Sequence, residues 1–216
     1  MKIRIKICGI KNLKDALLCV NEGVDALGFI FYQKSKRYIS PQRARNIIKK
    51  LPPFISKVGV FVERTPVQIL KIAKSCNLDT VQLHSLQYSQ KDIDYLRKYL
   101  KVIKVIKVKD KSSLKEINKF DTDAILLDTF SFNSEGGTGR AFNWEVLKNL
   151  RSKKPIIVSG GLKPHNIKRL FSYFVPWGLD VASGVESCVG KKDPKLVKSF
   201  MREVKKIESI LENASR

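Results

Sequence analysis

The sequence predicts a parallel α/β protein, a single (β/α)8 TIM barrel spanning residues 1–216. Three observations carry this. Short strand-like runs alternate with helical patterns from end to end, at intervals of roughly 20–30 residues, the size of one strand–helix unit. Eight such strands can be counted. Residues able to do chemistry fall at the ends of strands from the first to the last, whereas an open doubly-wound sheet, the other architecture considered, gathers them at one crevice. No linker or low-complexity stretch divides the chain, and 216 residues suffice for one well-buried core.

The first strand is Ile3-Arg4-Ile5-Lys6-Ile7-Cys8. Its isoleucines share one face; Arg4, Lys6 and Cys8 share the other. The run stops at Cys8-Gly9 and a helical pattern follows from Asn12 to Glu22, with Gly23 as its stop. The second strand is Asp25 to Phe31, followed by the basic loop Gln33 to Ile39. Ser40-Pro41 and Thr65-Pro66 are helix starts in cap-then-proline order. The remaining strands are Lys57–Val62, Thr80–His84, Val102–Ile106, Ala124–Asp128, Pro155–Ser159 and Leu179–Ala182. A lysine-rich amphipathic helix from Pro194 to Leu211 closes the chain.

Composition narrows the function. The chain begins directly with a strand pattern, so no secretory leader is expected, and no apolar run reaches the 18–20 residues or so of a membrane span. A cytoplasmic protein without a membrane partner is expected. The four cysteines form no Cys-x-x-Cys pair and there are two histidines, so neither a metal site nor a disulfide framework is expected. The net charge of +22 would suit nucleic acid, but the lysines are spread over the polar sides of helices, as in Lys195-Lys198-Arg202-Lys205-Lys206. The reading is solvated faces and no nucleic-acid partner, with a basic surface able to steer a small anion.

Cys8 ends the first strand, on the rim where barrel enzymes place their chemistry. Asp128 ends the apolar strand Ile125-Leu126-Leu127. Partial desolvation there is expected to raise its pKa and make it an acid, with Cys8 as thiolate base and Lys6 supplying positive charge nearby. Ser159-Gly160-Gly161-Leu162 and Ala182-Ser183-Gly184-Val185 follow the last two strands, the usual phosphate site of barrels, so backbone N–H groups around Gly160, Gly161, Ser183 and Gly184 are expected to hold a phosphate. Gly184 to Lys192 and Gly137 to Phe142 only approximate nucleotide motifs and are set aside. Cys19 and Cys76 read as core, His84 as a wall residue, and Glu186 as a helix-start charge.

In their order along the chain, these motifs resemble the phosphoribosylanthranilate isomerase family of tryptophan biosynthesis. The matching stretches are Lys6-Ile7-Cys8-Gly9-Ile10, Gly28-Phe29-Ile30-Phe31, Arg37-Tyr38-Ile39, Val58 to Val62 and Val81-Gln82-Leu83-His84. They continue with Leu127-Asp128-Thr129, Gly136-Gly137-Thr138-Gly139, Ser159 to Leu162 and Gly178 to Glu186. Ser85-Leu86-Gln87 and Lys36 depart from the family pattern. The resemblance implies a (β/α)8 barrel and an Amadori rearrangement without metal or cofactor, by a monomer or homodimer acting on a small phosphorylated substrate. It implies Cys8 as general base, Asp128 as general acid, Arg37 against the anthranilate, and Asp180 as a further active-site carboxylate; His84 is counted with these two among the substrate-binding residues. The related histidine-pathway aminoaldose isomerases carry an aspartate where Cys8 stands. An inactive RNA-binding barrel is the reading from another class, and Cys8, Arg37 and Asp128 together speak against it.

Overall fold

Eight parallel strands close into a barrel in the order β1 to β8, in a computed structural model that describes residues 2–129 and 141–214. The motif Gly136-Gly137-Thr138-Gly139 lies outside the described residues. The strands are β1 Arg4–Cys8, β2 Ala26–Ile30, β3 Ser56–Phe61, β4 Thr80–Leu83, β5 Lys101–Val108, β6 Ala124–Thr129, β7 Ile156–Val158 and β8 Gly178–Val181. Helices α1 Leu13–Asn21, α2 Pro41–Ile48, α3 Pro66–Cys76 and α4 Gln90–Arg97 follow the first four strands. After β5 and β6 the chain takes 3-10 turns, Lys111–Lys119 and Trp144–Leu147; α5 Ile167–Phe171 follows β7. Beyond β8 lie a turn at Ser183–Val185, a small hairpin of β9 Glu186–Cys188 and β10 Lys191–Lys192, and the long α6 Pro194–Ala214. The hairpin departs from the plain glycine loop expected there. β5 also runs further than the expected Val102–Ile106.

The local signals act as their chemistry dictates. Asn12, Ser40 and Thr65 each accept a bond from the backbone N–H three residues on, supplying a partner that the first helical turn lacks. Gln68 reaches back to the Thr65 N–H and completes a capping box. Gly23 leaves α1 with φ +88°, a conformation open to glycine. At the foot of the barrel one device recurs. Asp25, Asp79 and Asp123 each stand just before an even-numbered strand and accept the backbone N–H of Ile5, Lys57 and Val102, at 2.8, 3.0 and 3.0 Å.

Two apolar layers result. Ile3, Ile5, Ile7, Leu27, Phe29, Val81, Leu83, Ile125, Leu127, Leu179 and Val181 point outward into the helices and form the larger core. Each fully buried side chain of this size contributes roughly 1.5–3 kcal/mol. Val58, Ile103, Val105, Ala124, Leu126 and Ile157 fill the barrel interior. The same alternation sends Lys6, Cys8, Gln82, Lys107, Asp128 and Asp180 inward, toward the mouth formed by the carboxyl ends of the strands.

Lys104 goes the other way. It is fully buried in the outer layer, donates to the Ser85 carbonyl at 2.6 Å and lies near the rings of Tyr88 and Phe120. Burial pulls its pKa down to about 8, against a small opposing pull from Asp92. In the unfolded chain the amine returns to its ordinary value of 10.5. Between those two values the unfolded state binds more protons, so this residue makes stability rise with pH. Denaturant unfolding at pH 7 and pH 10 is expected to show a larger gain for the parent protein than for Lys104→Met. Equal gains would contradict the assignment.

Candidate active site

Closing the barrel pairs β1 with β8 so that Lys6 stands opposite Asp180, and pairs β1 with β2 so that Cys8 stands opposite Gly28. Lys6 Nζ donates to Asp180 Oδ1 at 2.8 Å, with about 5% of each side chain exposed. Gly28 leaves room for this cluster: a Cβ there would lie 2.7 Å from Cys8 Sγ and 3.0 Å from Lys6 Nζ. The thiol therefore sits beside an ammonium, as expected from their shared strand face. Its ionisation differs from expectation. Burial pushes the Cys8 pKa up and Asp180 adds to the push, while Lys6 and Lys192 pull it down without prevailing. Burial alone would lower Lys6, but Asp180 and Cys8 hold it above its ordinary value. Burial, with Asp180 adding to it, thus favours the neutral thiol at Cys8.

The register of β5 and β6 puts Lys107 opposite Asp128. Lys107 Nζ donates to Asp128 Oδ2 at 2.8 Å and lies 2.7 Å from His84 Nε2, which is itself 3.4 Å from the same carboxylate oxygen. The Gln82 amide is 3.2 Å from His84 Nδ1. Burial pushes the Asp128 carboxyl up, as the sequence reading expects, but His84 and Lys107 together outweigh it and hold the group well below the usual carboxylate range. That corrects the expectation of a raised pKa: the site favours Asp128 as a carboxylate.

On the rim, Arg37 forks onto Glu186, with Nε donating to Oε1 at 2.9 Å and Nη2 to Oε2 at 2.7 Å. The stem of Arg37 lies on Gly9, where a Cβ would come within 2.7 Å of Cδ. Lys192 is buried with its ammonium on three oxygens: the Cys8 carbonyl at 2.7 Å, the Ala182 carbonyl at 3.1 Å and Glu186 Oε1 at 3.0 Å. Burial opposes ionisation of Glu186, but Arg37 and Lys192 hold its carboxyl down. Glu186 is thus the link between three loops, whereas the sequence reading made it a helix-start charge. Lys192 belonged to a rejected nucleotide motif, and Lys107 was passed over.

Gly160 and Gly161 have φ +84° and +64°. A Cβ on Gly160 would lie 2.9 Å from the Thr129 nitrogen and 3.0 Å from Asp128 Oδ1, so this loop packs directly on the end of β6. Gly184 abuts the Leu162 carbonyl, leaving no space for a side chain, and Asn166 Nδ2 donates to the Gly161 carbonyl at 2.8 Å. The loops after β7 and β8 are therefore fitted to each other, with Ser183 beside them. Among the described residues no group of three His, Cys, Asp or Glu side chains is placed to hold a metal ion, and no helix is long and apolar enough to cross a membrane.

Comparison with known proteins decides the family. Residues 5–203 match the sequence model described as PRAI, N-(5'phosphoribosyl)anthranilate (PRA) isomerase. The chain belongs to this family. The N-(5'-phosphoribosyl)anthranilate isomerase of Pelobacter propionicus is 43% identical over 207 residues, covering 96% of this chain and 98% of that one. The isomerase of Thermotoga neapolitana is 42% identical, covering 94% and 98%. A solved phosphoribosyl anthranilate isomerase from Thermotoga maritima superposes with a TM-score of 0.87 at 40% identity, covering 95% of this chain and all of that one. A further solved isomerase, in complex with reduced 1-(o-carboxyphenylamino)-1-deoxyribulose 5-phosphate, has a TM-score of 0.82 at 39% identity, with 95% and 100% coverage. Family membership accounts for the ordered motifs.

The ionisation of Cys8 can be tested through Asp180. The pH dependence of kcat/KM reports groups of the free enzyme, and in the role of base expected of Cys8 a thiol raised by burial puts the ascending limb in the alkaline range. Asp180→Asn removes one of the two influences that raise the thiol and frees Lys6 to favour the thiolate. The limb is expected to move to lower pH, whatever happens to its height. A limb that stays in place would contradict this coupling.

Proposed function

We infer that the protein is a phosphoribosylanthranilate isomerase of tryptophan biosynthesis. It converts N-(5-phosphoribosyl)anthranilate into 1-(2-carboxyphenylamino)-1-deoxyribulose 5-phosphate by general acid–base chemistry, residues 1–216 acting as one barrel. The observation that carries the reading is the pairing of an inward thiol at the end of β1 with an inward carboxylate on β6, at a mouth flanked by two interlocked glycine loops.

Each step needs one of these groups. Protonation of the furanose ring oxygen by Asp128 breaks the C1′–O bond and gives the Schiff base. Cys8, ionised once substrate is in place, removes the C2′ proton and leaves an enolamine that tautomerises to the ketone. N–H groups of the loops carrying Gly160, Gly161, Ser183 and Gly184 receive the phosphate. Arg37, held in orientation by Glu186, faces the anthranilate carboxylate, and Asp180 and His84 complete the walls. No cofactor enters these steps. The partner is this small anion, drawn in by the basic surface, with no nucleic acid or membrane needed. The protein works as a monomer or homodimer; the Thermotoga maritima relative is described as dimeric and has also been solved in monomeric form. Four free thiols suit the reducing cytoplasm.

Purified protein given freshly made N-(5-phosphoribosyl)anthranilate is expected to consume it. Cys8→Ser is expected to fold normally and to lose about 10²–10⁴ in kcat with little change in KM, because a hydroxyl does not ionise to act as base. Near-normal turnover by a folded Cys8→Ser protein would remove Cys8 from the role of base.

A further inference from the structure

The hairpin that stands where a plain glycine loop was expected carries two buried charges that take no part in the proton transfers. β9 and β10 pair antiparallel with Lys192 opposite Glu186. The Lys192 N–H donates to Asp15 Oδ2 of α1 at 2.9 Å, and the Asp193 N–H donates to the Val185 carbonyl at 3.0 Å, so the hairpin is fastened to the barrel at this point. None of the Lys192 side chain and 3% of the Glu186 side chain is exposed. Two charges so deeply buried are tolerated because they meet at 3.0 Å and because the ammonium also donates to the carbonyls of Cys8 and Ala182. One buried nitrogen thus ties the end of the strand bearing the thiol to the carboxylate that holds Arg37.

Glu186 holds Arg37 by one edge only. Nε donates to Oε1 at 2.9 Å and Nη2 to Oε2 at 2.7 Å, which occupies the Nε–Nη2 edge of the guanidinium. The plane has a second edge, Nη1–Nη2, with the same fork of N–H bonds, suited to another carboxylate. Among the described residues no group accepts from Nη1. Charge decides what that edge can take. Glu186 alone would cancel Arg37 and repel an incoming carboxylate. Lys192 on Glu186 Oε1 offsets that repulsion, so two cations and one anion leave a net positive charge at the open edge. We propose that Glu186 and Lys192 are positioning residues that set selectivity for a carboxylate on the aromatic ring, an inference that rests on the reading of Arg37 as the group facing the anthranilate. Glu186 aims the free edge of Arg37, and Lys192 keeps that edge positive and fixes it relative to Cys8. Neither residue touches a reacting atom.

Two ligands separate this role from a merely structural one. Reduced 1-(o-carboxyphenylamino)-1-deoxyribulose 5-phosphate and the same molecule without its ring carboxyl group share the sugar chain and the phosphate. Their dissociation constants are measured by titration calorimetry on the parent, Glu186→Gln, Lys192→Met and Arg37→Met, with thermal unfolding to confirm that each folds. Glu186→Gln is expected to weaken the carboxylated ligand by about 10–100-fold, the usual worth of a hydrogen bond to a charged group, and to leave the carboxyl-free ligand little changed. Lys192→Met, which lets Glu186 neutralise Arg37, is expected to show the same selective loss. Should either variant not fold, Glu186→Asp carries the test, since it keeps the charge but is one methylene too short to hold both cations. Equal losses for the two ligands, or no loss for either, would overturn the proposal. Arg37→Met keeps the failures apart. If it binds the carboxylated ligand as the parent does, the reading of Arg37 falls; if it alone loses the preference while the Glu186 and Lys192 variants keep it, only the role of that pair falls.

Discussion

Lys6 and Asp180 meet across the seam where the last strand returns to the first, and much of the site depends on that buried ion pair. Two charges taken out of water are tolerated only when they satisfy each other, and removing one partner of such a pair costs about 3–5 kcal/mol. The pair sits two residues before Cys8 on one strand and at the root of the β8 loop on the other. It therefore places a charge beside the thiol and fixes where that loop leaves the barrel. A second buried ammonium extends the arrangement: Lys192 ties the carbonyl of Cys8 to Ala182 and Glu186, and Glu186 in turn grips Arg37.

This construction leaves the groups proposed as base and acid in the opposite ionisation states. A base is wanted as thiolate, yet burial keeps Cys8 protonated. An acid is wanted as carboxylic acid, yet Lys107 and His84 keep Asp128 ionised. The two deviations come from one competition with opposite winners: burial prevails over Lys6 and Lys192 at Cys8, whereas His84 and Lys107 prevail over burial at Asp128. Substrate binding, which displaces remaining water and adds a phosphate and a carboxylate, changes both balances at once.

The strands were legible because isoleucine, leucine and valine runs separated by Ser-Pro, Thr-Pro and glycine leave few other readings. Cys8, Asp128, Gly160 and Gly184 were legible because each ends a strand or follows it directly. Lys104 and Lys107 were not. In Lys101-Val102-Ile103-Lys104-Val105-Ile106-Lys107 the lysines recur every third residue, a period that matches neither face of a strand. One falls into the outer core and the other into the site, and only the barrel's register tells them apart. Lys192 was opaque for a similar reason, since nothing local distinguishes a buried lysine from a solvated one in so basic a chain. The ionisation of Asp128 was misread because desolvation is visible in an apolar strand, whereas partners from β5 and the end of β4 are not.

The central claim, that burial, aided by Asp180, keeps Cys8 protonated until substrate arrives, can be measured on the thiol itself. Thiolate ultraviolet absorbance would be titrated in the parent protein and in Cys8→Ser, the difference isolating Cys8, without ligand and with reduced 1-(o-carboxyphenylamino)-1-deoxyribulose 5-phosphate bound. The account predicts that without ligand Cys8 ionises only above the ordinary cysteine range, and that ligand shifts the transition. A thiolate already formed at neutral pH in the empty protein would contradict it.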